Sequence, residues 1–118
     1  GFALQAYVQR EDFTLLHIVT DCHAFRIVQR YANDKALALR YLWQAALAAW
    51  LTVVAAPASR RTSGDGWPEL GEQAIAARAL LSNDDHVIKL CYSALCEYRE
   101  YGDPGYLGAA ARKLALDG

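Results

Sequence analysis

The sequence predicts an all-α protein of about five helices in a bundle-like array. Three observations predict it. Apolar residues recur at the spacing of a helix face, and no run alternates with the period of a strand. Acidic N-cap residues, prolines and glycines stand at regular intervals where helices would start and stop. The long central segment consists almost wholly of strong helix formers.

Residues 2–9 fit a short helix or the end of a longer one. Asp12 then stands at an N-cap position. Phe13, Leu15, Leu16, Ile18, Val19, Ala24, Phe25, Ile27 and Val28 follow at helical spacing, broad enough for burial on more than one side. This helix is expected to end near residues 31–33, a length of about 30 Å. Asp34 caps a second helix running to about Ala56, interrupted chiefly by Lys35, Arg40 and Gln44. It is expected to be the most buried helix. Trp43 and Trp50, seven residues apart, line one stripe of it and fit core packing. Pro57 ends the helix and a polar, glycine-containing loop covers 57–66. Pro68 opens a third helix reaching about Leu81, preceded by Trp67, which fits a docking or lid residue. Ser82-Asn83-Asp84-Asp85 starts a fourth, His86 to about Tyr101, with Gly102 at its C′ position. Asp103-Pro104 opens a fifth that ends near Leu116.

At 118 residues the chain reads as a single helical domain, 1–118, or as part of a larger one. Hydrophobic residues make up 54%, which argues against disorder. Twelve Lys and Arg against thirteen Asp and Glu give a net charge of −1 and no case for nucleic acid, which needs a clustered basic surface. The Arg60-Arg61 pair is too small for one. The apolar run Leu42 to Ala56 falls short of the roughly 20 residues of a membrane span, so no membrane association is expected. The start carries no basic, signal-like region, although it opens within an apolar helical pattern that leaves room for residues upstream. Cys22, Cys91 and Cys96 form no C-x-x-C and fit reduced, packed cysteines of a cytoplasmic protein. Gly102, Gly105 and Gly108 follow no strand and have the wrong spacing for a dinucleotide loop.

Chemistry must therefore come from a few polar residues in apolar surroundings. His17, His23 and His86 are the histidines, and a lone histidine in such a setting is more often a hydrogen-bonded core residue than a ligand. His17 and His23 are six apart, about 120° around an ideal helix, so they grip one ion only across a π-bulge or break near Thr20. His86 and Lys89 share a face one turn apart. The bland reading of Lys89 is an ammonium in water. If buried, it would be a neutral amine able to form a carbamate with carbon dioxide, an anionic oxygen ligand. Asp84 and Asp85 fit capping roles. Arg26 and Arg30 share a solvated face that would suit an anionic or aromatic substrate.

Three segments together resemble one family. Residues 17–26, His-Ile-Val-Thr-Asp-Cys-His-Ala-Phe-Arg, resemble its H-x-x-T-x-x-H-A-h-R segment, with h apolar. Arg40-Tyr41-Leu42-Trp43-Gln44 resembles its aromatic-Trp-Gln helix, and Asp84-Asp85-His86-Val87-Ile88-Lys89 its D-[DE]-H-V-I-K helix start. The family is the questin oxidase-like one, and the resemblance spans roughly residues 13 to 115. It implies an all-helical oxidoreductase that uses dioxygen to oxidise or cleave quinone-type aromatic substrates. Some members are described as using NADPH. At least one relative is described as dependent on non-haem iron, Fe(II), held by histidines and a carboxylated lysine. Carried over, the ligands would be His17, His23, His86 and Lys89. Thr20 or Asp85 would orient imidazoles, as metal-bound histidines require. Phe25, Trp43 and Trp50 would wall an aromatic pocket. Members are usually several hundred residues long, so the chain resembles the carboxy-terminal part, and either a partner segment would complete the site or the chain is a fragment or reduced relative.

The rival class is a non-catalytic helical interaction domain that dimerises or pairs with a missing half, motivated by the high apolar fraction. A flavin or NADPH enzyme would need a phosphate-cradling glycine loop, which the sequence lacks.

Overall fold

The computed structural model describes residues 3–5, 7, 13–55 and 69–117. All regular structure among these residues is helical, as the sequence predicts. The chain divides into two compact units, residues 1–61 and 62–118. The division falls inside the polar loop expected at 57–66. Trp67 and Pro68, like the whole of that loop, lie outside the described residues.

In the first unit, helix α1 spans Phe13–Val28 and tightens into a 3-10 turn at Gln29–Tyr31. Helix α2 spans Lys35–Ala55. Asp34 caps α2, its Oδ1 accepting from the Leu37 N–H at 2.9 Å, as expected of an acid at that position. Helix α1 supplies the unit's main buried surface through Leu15, Leu16, Ile18 and Val19, and α2 contributes Ala46 and Val53. Leu4 and Tyr7 are buried as well.

Helix α2 does not follow its expectation. Rather than being the most buried helix, it leaves Leu37, Leu39, Tyr41, Trp43, Leu51 and Val54 exposed, with Trp43 at 50% and Leu51 at 59%. Its apolar residues run almost all the way round, whereas a packed neighbour covers one side. Among the described residues it is the one helix long and apolar enough to cross a membrane by length and composition.

The second unit holds three helices, α3 (Glu72–Ala79), α4 (Asp85–Tyr101) and α5 (Gly105–Asp117). Helix α3 starts four residues later than Pro68 suggested. Gly71 is its N-cap, in extended conformation, and Glu72 places an acid in the first turn. Helix α4 buries Val87, Leu90, Cys91, Ala94 and Leu95, the i, i+3, i+4, i+7, i+8 stripe of an amphipathic helix. Val87, Cys91, Ala94 and Leu95 of that stripe meet Ile75 and Ala79 of α3 and Ala110 of α5 in one apolar cluster. Gly102 ends α4 at φ +68, where a side chain would be strained, and its N–H donates to the Tyr98 carbonyl at 2.7 Å. Asp103 Oδ1 accepts from the Gly105 N–H at 2.8 Å and opens α5. Arg99 Nε donates to Glu72 Oε2 at 2.7 Å, tying α4 to α3 at the surface.

Candidate functional site

The polar residues singled out by the sequence fall into two local settings, one in each unit. In the first unit, α1 runs as regular α-helix through Thr20. No π-bulge brings His17 and His23 together, so their side chains stay about 120° apart. His23 is 6% exposed, within the unit's interior. His17 is half-buried and lines a cleft of about 110 Å³ between α1 and α2, with Thr14 and Asp21 beside it on α1 and Leu42, Ala46 and Ala49 across from it. Asp21 was no candidate on sequence grounds. Its signal is the four-residue spacing from His17, which puts both on one helix face. Thr20 Oγ1 donates to the carbonyl of His17 at 3.0 Å, a bond to the helix backbone rather than to an imidazole. Phe25 and Trp50 are half-buried and Trp43 is exposed.

The second setting is the start of α4. The chain turns through residues 80–84, where Ser82 Oγ accepts from the Asp84 N–H at 3.1 Å. Asp84 is the N-cap: its Oδ1 accepts from the His86 N–H at 2.8 Å. That same oxygen lies 3.2 Å from His86 Nδ1, and Asp85 Oδ1 also lies 3.2 Å from Nδ1. Two carboxylates therefore face one ring nitrogen. The ligand atoms of Asp84, Asp85 and His86 all lie within 4.8 Å of one another. Lys89 Nζ is 2.7 Å from Asp85 Oδ2, and its side chain is 64% exposed. Lys89 is thus a solvated, ion-paired residue, not the buried amine on which a carbamate reading leans.

The electrostatics follow from these contacts. The His86 N–H holds the Asp84 carboxyl below the usual carboxylate range, with the imidazole adding to the effect. The Lys89 ammonium does the same for Asp85. Both carboxylates stay ionised near neutrality. A proton on Nδ1 directed at them puts the lone pair of the neutral ring on Nε2. A carboxylate backing an imidazole in this way is the arrangement that fixes a metal-binding histidine. Asp84 reads from sequence as a cap alone, and its second role beside the ring comes from local rotamer geometry.

With both carboxylates on its Nδ1 side, the His86 ring can offer Nε2 to a divalent ion of the Fe(II) or Mn(II) kind, and the aspartates hold the ring rather than the ion. A carboxylated Lys89 fits less well, because a carbamate would place an anion against Asp85. The cleft beside His17 lies in the first unit.

Comparison with known proteins was made at three levels. Neither curated proteins nor solved structures gave a match. A model of the questin oxidase-like family matches residues 2–94. The match takes in α1, α2, α3 and the first half of α4, including all three resembling segments, and it stops short of α5. By this match over most of its length, the chain belongs to the questin oxidase-like family.

Proposed function

We propose that this chain is the metal-holding helical part of an oxidoreductase that uses dioxygen to oxidise or cleave a quinone-type aromatic substrate. The observation that carries the reading is the start of α4, where His86 stands with Nδ1 3.2 Å from each of two ionised carboxylates. Family membership supplies the reaction class. Ferrous iron is the proposed ion, and bound there it would supply one-electron chemistry toward dioxygen. The chain's own residues do the rest. Asp84 caps α4 and so fixes the backbone from which His86 projects. Asp84 and Asp85 together accept the Nδ1 proton and present Nε2 as the ligand atom. His86 itself is half-buried at the helix start.

The test is metal content by elemental mass spectrometry, on protein made without chelator and without a histidine tag. Near-stoichiometric iron that is lost in His86→Ala supports the reading. Equal metal in wild type and His86→Ala, or none after anaerobic iron loading, sinks it.

A second reading has its own support in the exposed apolar residues of α2. On this reading the chain pairs with another polypeptide through Leu39, Trp43, Leu51 and Val54. Light scattering giving a monomer at high micromolar concentration would count against pairing with a second copy.

A further inference from the structure

We infer that the cleft between α1 and α2 is a binding site for a small primary ammonium ion carrying a compact apolar body of about four carbons. The inference goes beyond the metal reading of His86 and does not use it. The cleft holds about 110 Å³ within the first unit. Its α1 wall is polar: Thr14, His17 and Asp21 recur at i, i+3 and i+7, along one helix face. Its α2 wall is apolar: Leu42, Ala45, Ala46 and Ala49 recur at i, i+3, i+4 and i+7. Two walls of opposite character therefore face each other over about 10 Å of helix.

The gap has a physical cause. Helices in contact normally fill the space between them with interdigitating side chains. The alanines of the α2 wall each reach only one carbon toward α1, and the polar side chains opposite leave the space between unfilled. That space opens to solvent beside Asp21 and Ala45, both exposed. An apolar cavity of about 150 Å³ holds benzene, so 110 Å³ suits a body of about four carbons.

Charge selects the head group. Among the described residues, Asp21 brings the one carboxylate to the cleft, and no lysine or arginine lines it. His17 is the one other titratable side chain there, and the α2 wall carries none. An anion would meet the carboxylate with like charge. A neutral apolar guest would strip water from that carboxylate without replacing it. A metal ion would find one carboxylate and one imidazole, and it would leave the apolar wall unused. An ammonium group answers Asp21 with a charge-assisted hydrogen bond, while its alkyl body covers the alanines and Leu42. A primary amine is cationic at neutral pH, as the lysine side chain is. Thr14 and His17 keep the α1 wall polar, and recognition rests on the charge of Asp21.

The test is a titration of the full ¹⁵N-labelled chain with isobutylammonium, read by amide shifts. Shifts confined to residues 14–21 and 42–49 are expected, with a Kd of about 1–10 mM, the range that so few ligand atoms reach. Isobutanol keeps the body without the charge, and ammonium chloride keeps the charge without the body. Each should bind about tenfold more weakly or worse. Isobutyrate should not bind. Asp21→Asn should weaken isobutylammonium about tenfold and leave isobutanol unchanged. Asp21 is exposed, so this variant is expected to fold. No shifts at about 50 mM isobutylammonium overturn the inference. So do shifts scattered over the chain, shifts that isobutanol or ammonium chloride reproduces at equal concentration, and binding that Asp21→Asn leaves unchanged.

Discussion

Among the described residues, helices α2 and α4 are the two longest, at 21 and 17 residues, and they meet opposite fates. Helix α2 carries more apolar residues, yet most of its large side chains are exposed. Helix α4 carries more charged and polar residues, yet it buries a complete stripe from Val87 to Leu95. The difference is in arrangement. A stripe about 100° wide can be covered by two neighbouring helices, as α3 and α5 cover that of α4. An apolar surface on every side needs neighbours on every side, and the first unit offers α2 chiefly one, α1. Apolar content sets how much a helix would gain by burial. Pattern and available partners set how much it is buried.

The largest effects are expected where a side chain has partners on all sides. Leu90→Ala removes a fully buried side chain of α4 and should lower stability by about 2–5 kcal/mol in denaturant unfolding. His23→Ala sharpens the comparison from the first unit. It truncates a buried polar side chain of α1 and should lower stability by about 1–3 kcal/mol, read by the same method. Gly102→Ala isolates backbone strain, because a Cβ there meets open space and only the positive φ is penalised. A loss of about 1–2 kcal/mol is expected, with Gly102→Asn milder. Leu51→Ala on the outer side of α2 should change stability by less than about 0.5 kcal/mol. A loss as large as that of Leu90→Ala would break the comparison and show that α2 is covered in solution.

The smallest effect is electrostatic. Asp84 and Asp85 both titrate below the usual carboxylate range, through the His86 N–H and the Lys89 ammonium. A carboxyl whose pKa falls on folding stabilises the native state above its unfolded pKa, near 4. That contribution is lost as pH falls through the depressed folded value. Thermal unfolding between pH 6 and pH 3 should therefore fall more steeply in wild type than in Asp84→Asn. Because both groups are exposed, the difference should be small and should shrink with added salt.

Much of the fold was legible in the residues. Asp34, Asp84, Gly102 and Asp103 stand where the caps and the C′ glycine are, because capping is decided by local hydrogen bonds and local dihedral preferences. The start of α3 was misplaced because Pro68 competes with Gly71 as a starting signal, and either suits a first-turn position. The burial of α2 was misjudged because a propensity-rich, apolar segment looks the same whether or not neighbours exist to cover it. The π-bulge that would join His17 to His23 leaves no sign in sequence, and α1 has none between Phe13 and Val28.

By itself the sequence determined the all-helical class, the order of the helices, most of their ends and the face-sharing of His86 and Lys89. Helix propensity, caps and a 3.6-residue period act over four or five neighbours, and that is the range a linear reading covers. Tertiary structure alone decided that α4 rather than α2 is the buried helix, that His17 borders a cleft while His23 is enclosed, and that Lys89 meets Asp85 in solvent. Those outcomes depend on which surfaces other helices occupy and which rotamers remain open, and residues distant in the chain settle both.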